Sequence, residues 1–342
     1  MSTKILVTGG TGYIGSHTTV ELQNSGYEVI IVDDLSNSGI EVLDSIEKIT
    51  GIKPAFEQFD ISEREKTVEF FSRNKDIVAI IHFAAYKAVG ESVEKPLNYY
   101  RNNLVSLMNL LECQVKYNVP NMVFSSSCTV YGQPEKLPVT EQTPRKDAES
   151  PYGNTKRISE DILKDSIAAN SQLKGIALRY FNPIGAHPSA LIGELPLGVP
   201  QNLVPFITQT AAGLRPELKV FGNDYNTPDG SAVRDYINVV DLAKAHVIAI
   251  ERLLKNKNKT NYEVFNLGTG TGLSVLEVVT GFEKATGVKL NYKIVDRRAG
   301  DIEKIWADTT YANEELGWKA DKSLEETLLS AWNWEKNIRG IK

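Results

Sequence analysis

In the run Tyr152-Gly153-Asn154-Thr155-Lys156 a phenol and an ammonium stand four residues apart, a spacing that puts both on one helix face. Ser150-Pro151 ahead of them supplies a good N-cap and a first-turn proline. A phenol with a pKa of about 10 is a poor base at neutral pH, but a neighbouring cation favours its phenolate. Lowering that pKa by about three units corresponds to roughly 4 kcal/mol of differential stabilisation. Ser125-Ser126-Ser127 closes the apolar run Met122-Val123-Phe124, and Ser127 there can hydrogen-bond the oxygen whose proton Tyr152 removes. Singly, each has a plainer reading, as an exposed Tyr-Lys pair or a turn-forming serine.

A second constellation points to a bound nucleotide. Gly9, Gly12 and Gly15 in Gly9-Gly10-Thr11-Gly12-Tyr13-Ile14-Gly15 follow an apolar strand and open a helix. Glycines there permit a tight turn and bring backbone N–H groups and the helix N-terminus close to a pyrophosphate. Asp33 ends the next apolar run, Val29-Ile30-Ile31-Val32, where an acid accepts from the adenosine ribose and repels a 2′-phosphate, which favours NAD over NADP. Asp60-Ile61, after Phe56-Glu57-Gln58-Phe59, reads as a cap on the adenine edge or as a plain strand-end turn. Gly268-Thr269-Gly270-Thr271-Gly272 lacks the spacing and lysine of a P-loop and reads as a turn before a helix near Ser274.

The elements that must position these groups alternate. Strand-like Lys4 to Val7, a helix-period Ser16 to Ser25, strand-like Val29 to Val32 and a helical stretch to about Lys48 make βαβ, hence a parallel sheet. The pattern continues through Ile77 to Phe83, an amphipathic Leu97 to Tyr117, Met122 to Ser125, a helix Tyr152 to Ala169 and the strand Gly175 to Tyr180. The fold class is therefore α/β. Residues 1–180 form a doubly wound parallel sheet and residues 181–342 a smaller α+β lobe, with segments around 235–268 as candidates to return to the first. Asn182 to Pro205 is loop-rich, carrying Pro183, Pro188, Pro196 and Pro200 and several glycines, and such stretches often line sites. Periodic signals resume in Leu203 to Leu214, Asp241 to Leu254, Val264 to Leu267 and Leu273 to Thr286, before a charged, Trp-containing tail after Asp308. With no repeat or linker between the halves, a cleft between them is the natural ligand site.

Composition narrows the classes. The chain has 342 residues, 42% hydrophobic and 24% charged, enough for one large or two modest cores. A net charge of -5 gives no basic footprint for nucleic acid or an anionic membrane. Two cysteines, Cys113 and Cys128, cannot make a disulfide scaffold and suit a reducing compartment. The start of the chain passes from Lys4 into a short apolar run, too short for a signal-peptide core or a membrane span, so a cytoplasmic, unprocessed protein is expected. His17, His82, His187 and His246 show no paired ligand spacing, so no metal is expected.

The glycine loop, Ser127, Tyr152 and Lys156 resemble, in order and spacing, the extended short-chain dehydrogenase/reductase family with its Rossmann-type sheet, and within it the UDP-sugar 4-epimerases. The resemblance runs almost end to end, through Thr8 to Ser16, Ile81 to Ser92, Ser125 to Gly132, Ser150 to Lys156, Arg179 to Pro188, Phe221 to Tyr225 and Val233 to Tyr236. It implies that Ser127, Tyr152 and Lys156 are catalytic. It implies an NAD site formed by Gly9, Gly12, Tyr13, Ile14, Gly15, Asp33, Asn37, Ser38, Asp60, Ile61, Phe83, Ala84, Ala85, Lys87, Asn102, Tyr152, Lys156 and Phe181. For the UDP-sugar it implies Lys87, Ser127, Tyr152, Asn182, Asn202, Leu203, Phe221, Arg234, Arg298, Asp301 and Ile305. Arginines suit a diphosphate because the guanidinium fork pairs with phosphate oxygens.

The implied reaction is reversible inversion of C4 between UDP-galactose and UDP-glucose through a 4-keto sugar. The same resemblance favours a homodimer joined through the helices Leu97 to Tyr117 and Tyr152 to Ala169, whose Leu104, Leu107, Leu110 and Leu111 otherwise read as core. Three rivals remain. A 4,6-dehydratase would need the Asp-Glu pair that dehydratases of the family carry after the strand-end hydroxyl, where this chain has Cys128 and Thr129. Action on UDP-N-acetylhexosamines turns on Ile305, at the position that gates the N-acetyl group. A non-catalytic NAD sensor would typically have lost the tyrosine or the lysine, and both are retained.

Overall fold

The structure is a computed structural model that describes residues 3–298 and 302–342. Short β-branched runs become strands and the segments between them helices, alternating one for one at the start of the chain. The series is β1 (Lys4–Thr8), α1 (Tyr13–Asn24), β2 (Glu28–Asp33), α2 (Val42–Thr50), β3 (Ala55–Gln58), α3 (Arg64–Arg73) and β4 (Ile77–His82). It continues with α4 (Val89–Glu94), α5 (Pro96–Tyr117), β5 (Asn121–Ser127), α6 (Pro151–Ala169) and β6 (Lys174–Tyr180). After it come β7 (Asn182–Ile184), α7 (Leu203–Ala211), β8 (Leu218–Phe221), β9 (Val233–Asn238), α8 (Val239–Leu254) and β10 (Tyr262–Leu267). The chain ends with β11 (Gly272–Ser274), α9 (Val275–Thr286), β12 (Tyr292–Val295), β13 (Lys304–Ile305), α10 (Thr310–Glu315) and α11 (Leu324–Arg339).

Seven strands form one parallel sheet in the order β10-β6-β5-β4-β1-β2-β3. Its strands are apolar at consecutive positions because both faces are covered. Alternation by two sorts them: Ile5, Val7, Val29, Ile31, Ala79, Ile81 and Val123 enter one core layer. Leu6, Ile30, Val32, Ile80, Met122 and Phe124 enter the other. The seventh strand comes from the second half of the chain, and Leu242, Ala245, Ala249, Ile250 and Leu253 of α8 fill the first layer. Strand order reverses direction between β1 and β4, and open α/β sheets place their ligands at the carboxyl ends on either side of such a point. There the Thr8 hydroxyl meets His82 Nδ1 at 2.7 Å.

The second lobe has its own core, from Val204 and Ile207 of α7, Val278 and Phe282 of α9, and Leu328 and Trp332 of α11. The last two of these helices begin with full capping boxes, Ser274 with Glu277 and Ser323 with Glu326. β9 pairs with β7, β11 and β13, and β8 pairs with β12. The loop-rich stretch after Phe181 thus contains a strand, β7, too short and too proline-interrupted to show as a periodic signal.

Of the four leucines singled out on α5, Leu107, Leu110 and Leu111 are buried in the sheet's second core layer. Their apolarity is explained within one subunit. The outward apolar stripe is instead Leu97, Met108 and Val115, which are 72%, 41% and 48% exposed and share one helix face with the half-buried Leu104.

Candidate active site

Gly9 leaves β1 with φ +70°, and a Cβ there would sit 2.7 Å from the backbone nitrogen of Ala84. A Cβ on Gly15 would overlap the Gly9 carbonyl. The turn therefore presses against the loop after β4 at a distance only glycine allows. Gly12 holds the N-cap of α1 with extended backbone and no side-chain cap, leaving the helix start open to an anion. Asp33, at the end of β2, accepts from Thr11 N (3.2 Å) and Leu35 N (3.0 Å). Ser38 lies beside it, its hydroxyl 2.7 Å from that of Thr11, and Asn37 is exposed next to it.

Tyr13 donates its hydroxyl to Gly185 O (2.7 Å), tying the glycine turn to the loop beyond β7, while Ile14 packs on the core. Asp60 accepts from Ser62 N (2.8 Å), whereas Ile61 is a core residue whose carbonyl takes bonds from Thr67 and Asn109. The Phe83 ring lies tilted against that of His246, centres 4.7 Å apart, and Ala84 and Ala85 beyond it are half-buried. Asn102 is half-buried on α5, and Phe181 is buried beside Cys128 and Ile305.

The candidate reacting groups meet at the carboxyl edge of the sheet. Ser127 is the last residue of β5, in register with Tyr180 on β6. Ser150 caps α6 by accepting from Gly153 N (3.2 Å), with Pro151 opening the first turn. The next turn carries Tyr152 and Lys156 together toward β5. Burial raises the Tyr152 phenol, and the nearby Ser127 side chain partly opposes it by favouring phenolate. Lys156 donates to Ser125 O at 2.7 Å, with its Nζ 5.0 Å from the Phe124 ring centre and 5.9 Å from that of Tyr152.

Burial dominates both groups. It pushes the Tyr152 phenol well above its ordinary value, and it pulls Lys156 down to about 8, with Glu160 opposing. Spacing alone suggests that the ammonium lowers the phenol. In the folded chain desolvation outweighs that attraction, because both groups lie under the same layer of protein.

On the opposite lobe, half-buried Asn182 pairs with Tyr236 across β7 and β9. Asn202 precedes α7, which begins at Leu203, and donates to Glu194 Oε1 at 2.5 Å. The same carboxylate holds Lys87 at 3.2 Å. Arg234 donates to Val233 O (2.8 Å), and the Arg298 guanidinium lies 5.7 Å from the centre of the Phe221 ring, itself 37% exposed. Its neighbour Arg297 is engaged differently, on Asp224 (2.6 Å) and over Tyr225 (4.0 Å). Ile305 is buried against Cys128 and Phe181. Asp301 lies outside the described residues.

Several contributors carry no motif. Glu160 and Arg179, both buried, form a two-pronged ion pair (2.8 and 2.6 Å) that pins α6 to β6, and Ser126 donates to the same carboxylate. Asp235 accepts from Thr269 N (2.8 Å) and Gly270 N (3.1 Å), so the N–H groups of that glycine-rich turn already hold an internal anion. One-turn spacing from Lys156 marks Glu160; nothing local marks Arg179, Glu194 or Asp235 as their partners.

Comparison with known proteins bears on the family and the fold. The family model described as GDP-mannose 4,6 dehydratase matches residues 6–330. The UDP-glucose 4-epimerase of Bacillus subtilis is 52% identical over 339 residues, covering 99% of this chain and 98% of that protein. The UDP-glucose 4-epimerase of Bifidobacterium longum, crystallised with NAD+ and UDP, superposes with a TM-score of 0.94 at 46% identity over 99% of this chain and 100% of that one. The Stenotrophomonas maltophila UDP-glucose-4-epimerase, with NAD and formylated UDP-arabinopyranose bound, gives 0.95 at 47% identity with the same coverage. A seven-stranded parallel sheet, a glycine turn against the loop after β4, a Ser-Tyr-Lys cluster at the sheet edge and half the residues shared over the whole length converge: the chain belongs to the UDP-glucose 4-epimerase family, within the extended short-chain dehydrogenases.

Proposed function

We propose that the protein interconverts UDP-galactose and UDP-glucose by inverting C4 of the hexose with NAD as a bound hydride carrier. The observation that carries this reading is the convergence of Ser127, Tyr152 and Lys156 beside a glycine turn that admits no side chain. The residues fit the cofactor. An ammonium has three donors, and the buried Lys156 spends one on Ser125 O, leaving others suited to ribose hydroxyls. The carboxylate of Asp33 stands at the end of β2 for the adenosine ribose, with the Ser38 hydroxyl 3.4 Å from it. Held there, NAD would supply a reversible hydride acceptor at C4.

Tyr152 takes the proton of the 4-hydroxyl and returns it at the end of the cycle, so no net proton leaves the site. Ser127 donates to the same sugar oxygen, and Lys156 supplies the positive charge that the phenolate needs. Hydride must return to the opposite face of the 4-keto sugar. The nucleotide therefore has to be held firmly and the hexose loosely. Phe221, Arg234 and Arg298 serve the uridine and diphosphate, with Asn202 and Leu203 beside them. Asn182, Lys87 and Ile305 border the hexose. Residues 1–180, joined by the segment around 235–268 that supplies α8 and β10, form the NAD-binding part, and the remainder holds the nucleotide sugar.

The family model carries the name of a 4,6-dehydratase. Elimination of water needs an acid and a base besides Tyr152. Cys128 is a buried thiol pushed up to about 12, and Thr129 presents its backbone N–H to Ser127 Oγ (3.2 Å). Neither does a carboxylate's work, so C4 inversion without elimination is the reading favoured.

The subunit pairs with a second copy through α5 and α6, supported by the apolar stripe Leu97, Met108 and Val115. Two free cysteines suit a reducing compartment such as the cytoplasm. No helix among the described residues is long and apolar enough to cross a membrane.

The test is to incubate the purified protein with UDP-galactose and no added NAD, following the anomeric protons by NMR. A mixture with UDP-glucose and no net redox product is expected. Turnover only on adding NAD would remove tight retention from the reading, and no turnover even then would overturn it.

A further inference from the structure

Glu194 lies in the loop between β7 and α7, and its side chain is only 10% exposed. Its Oε1 accepts from two segments far apart in the chain: Lys87 Nζ at 3.2 Å, in the loop after β4, and Asn202 Nδ2 at 2.5 Å, at the start of α7. Asn202 holds the N-cap position of α7, yet its side chain makes no cap bond and its amide goes to the carboxylate. The loop is anchored from behind by its backbone. Ser330, Trp334 and Asn337, spaced four and three along α11, share one helix face. Ser330 Oγ accepts from Ala186 N (3.0 Å), Trp334 Nε1 donates to Glu194 O (3.1 Å) and Asn337 Nδ2 donates to Ala190 O (2.7 Å). A Cβ on Gly193 would meet the Trp334 ring at 2.5 Å, so the indole rests directly on that backbone. Glu194 therefore stands on a stem that is fixed without help from its carboxylate.

We propose that Glu194 is a positioning residue whose one carboxylate sets Lys87, on the cofactor side, and Asn202, on the nucleotide side, at a fixed separation. The proposal rests on the epimerase reading above, which makes both residues partners of the bound molecules. Lys87 ends in a flexible four-carbon stem, and an ammonium on such a stem takes one place only when a fixed anion holds it. Asn202 is uncharged and needs an acceptor rather than a charge. The two therefore draw on different properties of the same group. The separation matters because the hydride acceptor is held by the seven-stranded sheet and the nucleotide by the other lobe. A hexose that turns between two hydride transfers cannot itself set the distance between them, so the protein has to supply it. The Tyr13 hydroxyl bond to Gly185 O ties the start of the same loop to the glycine turn, so the loop spans from the cofactor turn to α7 with Glu194 as its acidic contact to both sides.

The experiment is a pair of double-mutant cycles on the NAD-loaded protein, with two readouts: the Kd of UDP by calorimetry and kcat at saturating UDP-galactose. Glu194→Ala is expected to weaken UDP about fivefold, the loss of one hydrogen-bonded partner, and to lower kcat about tenfold. In an Asn202→Ala background the same change should move the Kd by less than about twofold, and in a Lys87→Met background it should move kcat by less than about twofold. Glu194→Gln keeps the acceptor and removes the charge, so it should restore UDP affinity toward wild type while kcat stays low. A loop that merely needs Glu194 to fold would give additive losses in both backgrounds, with a lowered melting temperature and no split between the readouts in Glu194→Gln. Additive losses, or wild-type Kd and kcat in Glu194→Ala, would overturn the proposal. Should Glu194→Ala fail to fold, the split in Glu194→Gln decides on its own, and equal effects on Kd and kcat there count against the proposal. A wild type that bound UDP without converting UDP-galactose would strike the epimerase reading, and the UDP cycle with Asn202 would still decide whether Glu194 positions that residue.

Discussion

The pair Tyr152 and Lys156 is held by burial closer to its neutral forms than exposed side chains would be. Tyr152→Phe removes the proton acceptor and little else, because the ring and the helix contacts stay. Its kcat should drop by about 10³-fold or more, while NAD binding by calorimetry and the melting temperature remain at wild-type values. Full activity in this variant would remove Tyr152 from the mechanism. The lysine sets a pH limit of the same sign as a free one but lower, because burial pulls it down to about 8. Below about 8 Lys156 is protonated and supports a phenolate; above it the charge is lost and the phenolate loses its partner. Activity is therefore expected to decline on the alkaline side near pH 8, and Lys156→Met should abolish that limb along with most of kcat, read from a pH–rate profile.

Among the elements, the turn between β1 and α1 tolerates little change. Gly9→Ala puts a side chain at φ +70° and within 2.7 Å of Ala84 N. The backbone strain alone is about 1–2 kcal/mol. The glycine turn and the loop after β4 would have to separate, so NAD affinity should fall by at least about tenfold by titration calorimetry. Unchanged affinity would mean that this close approach does not shape the site. The same reasoning explains why Gly268 to Gly272 is not a second such turn: its N–H groups are spent on Asp235, which also accepts from Ala307 N (3.2 Å) and so welds β9, β10 and β13 together.

For the molecule as a whole, three of the four histidines are buried and neutral. His17, His82 and His246 are driven by desolvation to about 3, 3 and 4. An unfolded chain takes up these protons near pH 6.5 and the folded one does not, so stability holds above that pH and falls below it. Each histidine contributes a slope of about 1.4 kcal/mol per pH unit between 6.5 and its folded value. Urea denaturation at pH 7 and pH 5 should show the loss, and His246→Asn should remove one histidine's share of it; an equal midpoint at both pH values would count against burial as the cause. Assembly is tested on the stripe of α5. Leu97→Glu with Met108→Glu should convert a dimer to a monomer in sedimentation velocity without lowering the fraction folded, since both side chains are outward. A wild-type monomer would leave that stripe without a partner.

By itself the sequence determined the first layer of this protein. Alternating β-branched runs and helical periods pointed to a parallel sheet, and glycines at positions 9, 12 and 15 with Asp33 pointed to a dinucleotide turn. Tyr152 and Lys156 on one helix face, behind a Ser-Pro cap, marked a candidate reacting pair. These are local facts, fixed by backbone sterics and residue spacing, so they survive reading in one dimension. The tertiary structure decided what depends on neighbours distant in the chain. It brought β10 to the edge of β6, gave Lys87 and Asn202 the common carboxylate Glu194, paired Glu160 with Arg179, and joined Tyr86 to Thr155 through Asn103. It also divided the leucines of α5 between core and surface and reversed the expected balance on Tyr152. Burial is a property of packing, and both the cost of charge and the value of a hydrogen bond follow from burial, not from order along the chain.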